Sequence, residues 1–335
     1  MTTGRVLLTG GSGLIGWEVL SSLKRQGWTV TSSDIRESEA VSALADETIV
    51  GDVRDFTATD LEGYDAVIHL AAMLEPPSSL AASGTPEDAE AILARAERMV
   101  GVNVLGAQSL FAAAVSAGLP GVVYASTVGV YGTQRFHPLA EGEEVPADGP
   151  FAPFALYSYT KLMDEGIAAF YARSFATRFI GLRPTFSYGI GRLTGIAGMV
   201  AQWIVDAAAG RRAVLERPFG LDGRYQTYYV KDMADAFVDA ARVAIEGTGY
   251  PEGVRALTLN TPTREYLSVA EMLQIVREVT GNDDVHVAEE HANPNVLSPR
   301  IDSADAIRIL GTAQRYPFAA AVADMAEEAR AAGLI

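Results

Sequence analysis

The sequence predicts an α/β fold: a doubly wound parallel sheet, followed by a smaller, mostly helical C-terminal domain. Three observations point there. Short β-branched runs alternate with helical stretches through the first half of the chain. A glycine-rich turn joins the first of those runs to the first helix. Beyond Arg183 the alternation stops and glycine and proline recur at 184, 189, 191, 195, 210, 218, 220 and 223.

The elements run in order along the chain. Val6–Thr9 reads as a strand, Leu14–Gln26 as a helix and Thr29–Ser33 as a second strand. Further strands are expected at Thr48–Val50, Ala66–Leu70, Val122–Ser126 and Phe179–Arg183, with helices at Ala89–Ala117 and Tyr157–Ser174. Val230–Ile245 reads as a helix and Ala256–Leu259 as a late strand that rejoins the sheet; helices near Val269–Thr280 and Ala319–Ala332 close the chain. The nucleotide-binding domain is thus expected over 1–183 with 231–260 returning to it, and the second domain over 184–230 and 261–335.

Composition narrows the function. The chain has 335 residues, 49% of them hydrophobic, enough for a large core. Its 42 acidic and 26 basic side chains give a net charge of −16, which argues against nucleic acid and against an electrostatic membrane anchor. With no cysteine, thiol chemistry and thiolate metal sites are excluded, and the four histidines show no metal-ligand spacing. The apolar run around Gly195–Ala209 holds Gln202 and Asp206 and is too short for a bilayer span. No cationic leader precedes the first strand, so a cytoplasmic protein is expected.

The segment from Thr9 to Gly16 carries G-x-x-G-x-x-G at Gly10, Gly13 and Gly16, with Leu14 and Ile15 opening the helix. Glycine permits the sharp turn and lets the backbone approach a pyrophosphate at the helix N-terminus. Asp34 ends the second strand, where a carboxylate accepts from ribose hydroxyls and repels a 2′-phosphate, favouring NAD over NADP; Arg36, two residues on, works against that preference.

Tyr157 and Lys161 form Y-x-x-x-K on a helix, so both lie on one face a turn apart. A phenol titrates near about 10, and lowering that by three units takes roughly 4 kcal/mol, within reach of an ammonium and a cationic nicotinamide in a dry cleft. Tyr159 is two residues from Lys161 and faces elsewhere. Ser126 and Thr127 end the fifth strand, where open α/β sheets bind ligands.

Together these motifs resemble the extended short-chain dehydrogenase/reductase family, in its NAD-dependent epimerase/dehydratase branch, whose nucleotide-binding domain is a Rossmann fold. The match runs through T-G-x-x-G-x-x-G at Thr9–Gly16, D-V at Asp52–Val53 and H-L-A-A at His69–Ala72. It continues with N-V-x-G at Asn103–Gly106, S-T-x-x-V-Y-G at Ser126–Gly132, R-P-x-x-x-Y-G at Arg183–Gly189 and a V-D-D-like Val230-Lys231-Asp232. The resemblance implies an NAD site that includes Asp52, Val53, Leu70, Ala71, Ala72, Asn103 and Pro184. It also implies catalysis by Tyr157, Lys161 and Thr127 beside Ser126, and substrate contacts from Tyr131, Phe186 and Arg224. His69 is expected to be a packed strand residue. A homodimer is implied, built on Ala89–Ala117 and Tyr157–Ser174.

Departures from the family pattern sharpen the reading. Where 4,6-dehydratases carry Asp–Glu, this chain has Val128 and Gly129, which cannot shuttle protons, and the decarboxylases' Glu is missing too. Phe186 stands where many nucleotide-sugar enzymes have Asn, and Arg224 sits one place early with Tyr225 at the usual arginine position. Phe186, Tyr188 and Tyr225 are either pocket lining or core. The expected activity is NAD-dependent dehydrogenation or epimerisation at a secondary alcohol of a carbohydrate-like substrate. The alternatives are a nucleotide-sugar 4-epimerase proper and a non-catalytic NAD-sensing module.

Overall fold

A computed structural model describes residues 3–74, 86–132, 144–153, 155–191, 195–292, 299–312 and 314–335. The nucleotide-binding half runs β1 (Arg5–Thr9), α1 (Leu14–Arg25), β2 (Thr29–Asp34), α2 (Glu39–Leu44), β3 (Glu47–Val50) and β4 (Ala66–His69). It continues with α3 (Pro86–Met99), α4 (Gly106–Ser116), β5 (Gly121–Ala125), α5 (Leu156–Ser174) and β6 (Arg178–Arg183). Then come β7 (Phe186–Tyr188), α6 (Gly195–Ala208), β8 (Ala213–Gly220), β9 (Arg224–Tyr225), β10 (Thr227–Tyr229) and α7 (Val230–Glu246). The chain ends with β11 (Ala256–Asn260), β12 (Leu267–Ser268), α8 (Val269–Thr280), β13 (Val285–Glu289), α9 (Ala304–Leu310) and α10 (Phe318–Ala331).

Seven strands form one parallel sheet in the order β11-β6-β5-β4-β1-β2-β3. The order reverses between β1 and β4, and there the crevice at the strands' carboxyl ends opens. All four residues of β4 and four of the five in β1 and β5 are buried, as expected of strands covered on both faces. One face packs Val19, Leu20 and Leu23 of α1 with Phe237 and Ala241 of α7. The other packs Leu110, Phe111 and Ala114 of α4 with Ala168 of α5. A further core joins Trp203 and Ile204 of α6, Met272 of α8 and Met325 of α10.

The expected helix over Ala89–Ala117 is two α-helices with a π-helical turn, Val100–Leu105, between them. Such a bulge inserts one residue and rotates the downstream helix, which no apolar periodicity announces. The helical run Ala89–Ser116 is long and apolar enough to cross a membrane, yet 56% of its apolar window is buried inside the protein, as in a core helix.

Candidate active site

The cofactor end is built from glycine geometry. Gly10 has φ +77° and a Cβ there would lie 2.6 Å from the Ala71 nitrogen. A Cβ on Gly16 would run into the Gly10 carbonyl, so this turn and the start of α1 touch backbone to backbone. Gly13 caps α1 without a side-chain hydrogen bond, which leaves the first N–H groups of the helix for an anion. The glycine cradle therefore fits a dinucleotide pyrophosphate.

A cavity of about 440 Å³ extends from this turn past Asp34, Arg36, Asp52, Val53, Leu70, Ala71 and Ala72. Asp34 accepts from the Ser12 and Arg36 N–H groups at 3.1 and 3.4 Å, which aims its carboxylate along the cavity floor. Asp52 is clamped by Arg54, which donates at 2.9 and 2.6 Å and holds the carboxyl below its ordinary range.

A second cavity of about 680 Å³ shares Gly10, Gly13, Leu70 and Ala72 with the first. Its walls carry Leu14, Ile15, Gly16, Ser126, Thr127, Tyr157, Lys161, Pro184 and Phe186. Here α5 delivers Tyr157 and Lys161 from consecutive turns, opposite the end of β5. Lys161 is 1% exposed and faces Asp164 Oδ2 at 3.2 Å. Thr127 caps the turn after β5 by accepting from the Gly129 N–H at 3.1 Å.

For four of the expected site residues the structure shows specific side-chain partners. Ser126 lines the larger cavity beside Thr127, is 1% exposed, and its hydroxyl donates to Glu165 at 2.5 Å, so it also braces the site against α5. Asn103 does not line either cavity; its amide brackets Met73 by accepting at 2.7 Å and donating at 3.0 Å, and donates to Thr160 at 3.0 Å. Tyr131 is fully buried; its hydroxyl accepts from Arg183 and donates to Asn260 at 2.8 Å, so it supports the site from behind. Arg224 turns outward to the Tyr266 carbonyl at 3.2 Å and to Glu271 at 3.7 Å. Of the three aromatics left open, Phe186 lines the cavity while Tyr188 and Tyr225 are core.

His69 is packed as expected: it is fully buried, its Nδ1 lies 2.8 Å from the Thr9 hydroxyl, and burial, joined by the Lys161 charge, drives its pKa down to about 3. It stays neutral at physiological pH. No metal-binding cluster occurs among the described residues. The segment Leu74–Arg98, longer in sequence than the connection usual in the resembled family, falls partly outside the described residues, at 75–85.

The sequence reading missed a bracing network. Glu165 accepts from Arg183 at 2.8 and 2.7 Å as well as from Ser126, tying α5 to β6 and β5 at once. Its signal was the acidic pair directly after Lys161-Leu162-Met163, one turn beyond the lysine.

Comparison with known proteins agrees with this geometry. The model of the NAD dependent epimerase/dehydratase family matches residues 6–249. A UDP-glucose 4-epimerase of Azospirillum brasilense is 29% identical over 326 residues, covering 91% of this chain and 85% of that protein. A 3-beta-hydroxysteroid dehydrogenase of Mycolicibacterium neoaurum is 29% identical over 252 residues, 74% of this chain and 63% of that one. Among solved structures, MoeE5 in complex with UDP-glucose and NAD superposes with a TM-score of 0.76 at 25% identity, covering 98% of this chain and 99% of that one. The glycine cradle, the Tyr157–Lys161 face and the family match place this chain in the NAD-dependent epimerase/dehydratase family of extended short-chain dehydrogenase/reductases, as an enzyme that uses NAD.

Proposed function

We propose that the protein oxidises, or epimerises through a transient ketone, a secondary alcohol on a carbohydrate-like substrate. The observation that carries this reading is the placement of Tyr157, Lys161 and Thr127 around the cavity that begins at the glycine turn. Bound NAD supplies the hydride acceptor. Gly10, Gly13 and Gly16 would hold its pyrophosphate and Asp34 its adenosine ribose.

Tyr157 takes the hydroxyl proton as its phenolate, and Lys161, a turn away on the same face, stabilises that anion. Thr127 donates to the substrate oxygen and keeps it in line with the phenol. Cleft walls from Leu14, Val128 and Phe186 exclude water and so strengthen each of these interactions.

Dehydration by a neighbouring acid pair has no support in this cleft. Val128 is aliphatic, and at Gly129 a Cβ would lie 2.5 Å from the Ser158 hydroxyl, so a larger side chain there would have to displace Ser158. A nucleotide-sugar 4-epimerase is the second reading, favoured by the 91% coverage of the Azospirillum relative. The two differ in cofactor balance: dehydrogenation accumulates NADH, whereas epimerisation forms product without it. Dimerisation through α3 and α5 belongs to the same reading, supported by the exposed Ile92, Leu93, Tyr159, Met163 and Phe170.

The test is a screen of sugars, sugar acids and nucleotide sugars that follows NADH absorbance and product together, repeated with Tyr157→Phe. The variant is expected to bind NAD as the parent does and to lose at least about 100-fold in turnover. Equal turnover by the variant would exclude the phenol as base.

A further inference from the structure

We propose that Asp164 is a positioning residue that sets the proton affinity of the Tyr157 phenol by partly neutralising Lys161. The inference rests on Tyr157 being the base of the proposed reaction. Along α5 the three groups form a ladder, with Tyr157 one turn before Lys161 and Asp164 one turn after it. Lys161 and Asp164 side chains are each 1% exposed and lie 3.2 Å apart. The second carboxylate oxygen of Asp164 is buried with no hydrogen-bond partner among the described residues.

Its neighbour Glu165 contrasts in every respect. That carboxylate receives two bonds from Arg183 and one from Ser126, so its charge is fully committed. Among the described residues Asp164 has Lys161 alone. A buried carboxylate with one partner and an orphaned oxygen is a poor structural anchor, since the lone oxygen has lost its water without replacement.

Among the described residues, the groups around the pair leave no other compensating charge. On α5 these are Lys161 and Glu165. From the sheet, His69 on β4 is held neutral, Tyr124 on β5 is kept protonated by burial, and the Arg183 charge on β6 is taken by Glu165. The net charge felt at the phenol therefore depends on whether Asp164 is ionised. Ionised, it cancels part of the ammonium's field and the phenol holds its proton more tightly. Protonated, it releases the full cationic field and the phenolate is favoured.

Burial pushes the Asp164 carboxyl up to about 6, against the pull of Lys161. As pH rises, Asp164 ionises first and thereby delays ionisation of Tyr157. The device widens the pH interval over which the phenol can both take up and return a proton.

The experiment titrates Tyr157 in the NAD-saturated protein by ultraviolet tyrosinate difference against Tyr157→Phe, with and without Asp164→Asn. The phenol is expected to titrate about one unit lower in the Asp164→Asn background. The acid limb of kcat/KM for alcohol oxidation should move the same way, giving about fivefold faster turnover one pH unit below the parent's limb. An unmoved or raised phenol titration overturns the proposal, as does an equal rate loss at every pH with the limb in place. Should Asp164→Asn fail to fold, Asp164→Ser removes the same charge and is read the same way. The spectroscopic titration needs no substrate. A lowered phenol titration without turnover on any alcohol would therefore support the role of Asp164 while rejecting the proposed reaction.

Discussion

Single residues decide the cofactor. Asp34 is held by two backbone N–H groups with its carboxylate toward the adenosine cavity, and Arg36 stands in the same wall. An anion there opposes a 2′-phosphate, and the arginine opposes that preference only weakly while the carboxylate is present. Asp34→Ala, with Arg36 kept, is therefore expected to cut the preference for NAD over NADP by at least about tenfold, read as the ratio of kcat/KM values. The sequence marks most plainly the residues whose chemistry needs a fixed spacing, the three glycines, Asp34, Tyr157 and Lys161, and the structure places all of them in the walls of the two cavities. Ser126, Asn103, Tyr131 and Arg224 make contacts that no motif announces. Each is polar and close in sequence to the site, but its side chain is spent on a neighbour that only the tertiary structure supplies: Glu165, Met73, Asn260 and Tyr266 respectively. Asp164 shows the converse, a residue with no motif to mark it whose meaning comes from its surroundings.

At the level of elements, the strands of the first half agree with the periodic pattern to within a residue, because most of them are buried and marked directly by short apolar or β-branched runs. The π-helical turn at Val100–Leu105, helices α2, α6 and α9 and strands β7, β8, β9, β10, β12 and β13 escaped that logic, the shortest of them because they are too brief to carry a period. Helix α8 illustrates a local signal that is both readable and testable. Ser268 accepts from the Glu271 N–H at 3.1 Å while Glu271 accepts from the Ser268 N–H at 2.7 Å, a reciprocal cap. Ser268→Ala is expected to cost about 1 kcal/mol and to lower the thermal midpoint by roughly one to two degrees, leaving NAD affinity unchanged. A midpoint equal to the parent's would mean the cap contributes nothing.

For the molecule as a whole, one sheet and one crevice account for the placement of every group in the proposed reaction. The exposed apolar residues of α3 and α5 lie on helices whose other faces pack against the sheet or against each other, which is what a helix-paired dimer requires. Sedimentation at micromolar protein should give twice the 35.5 kDa chain mass, and Phe170→Glu should return the monomer; a parent that sediments at 35.5 kDa would contradict the pairing.

The late strand β11 has a consequence for biosynthesis. It pairs with β6 across about 75 intervening residues and brings Asn260 to the Tyr131 hydroxyl. A nascent chain emerges from the ribosome in order, so the outer border of β6 stays unzipped until residue 260 is free, long after the rest of the sheet is available. A ribosome-stalled chain ending before Ala256 should accordingly capture chaperones or aggregate, and one ending beyond the same strand should not; equal solubility of the two would show that the border is guarded in some other way.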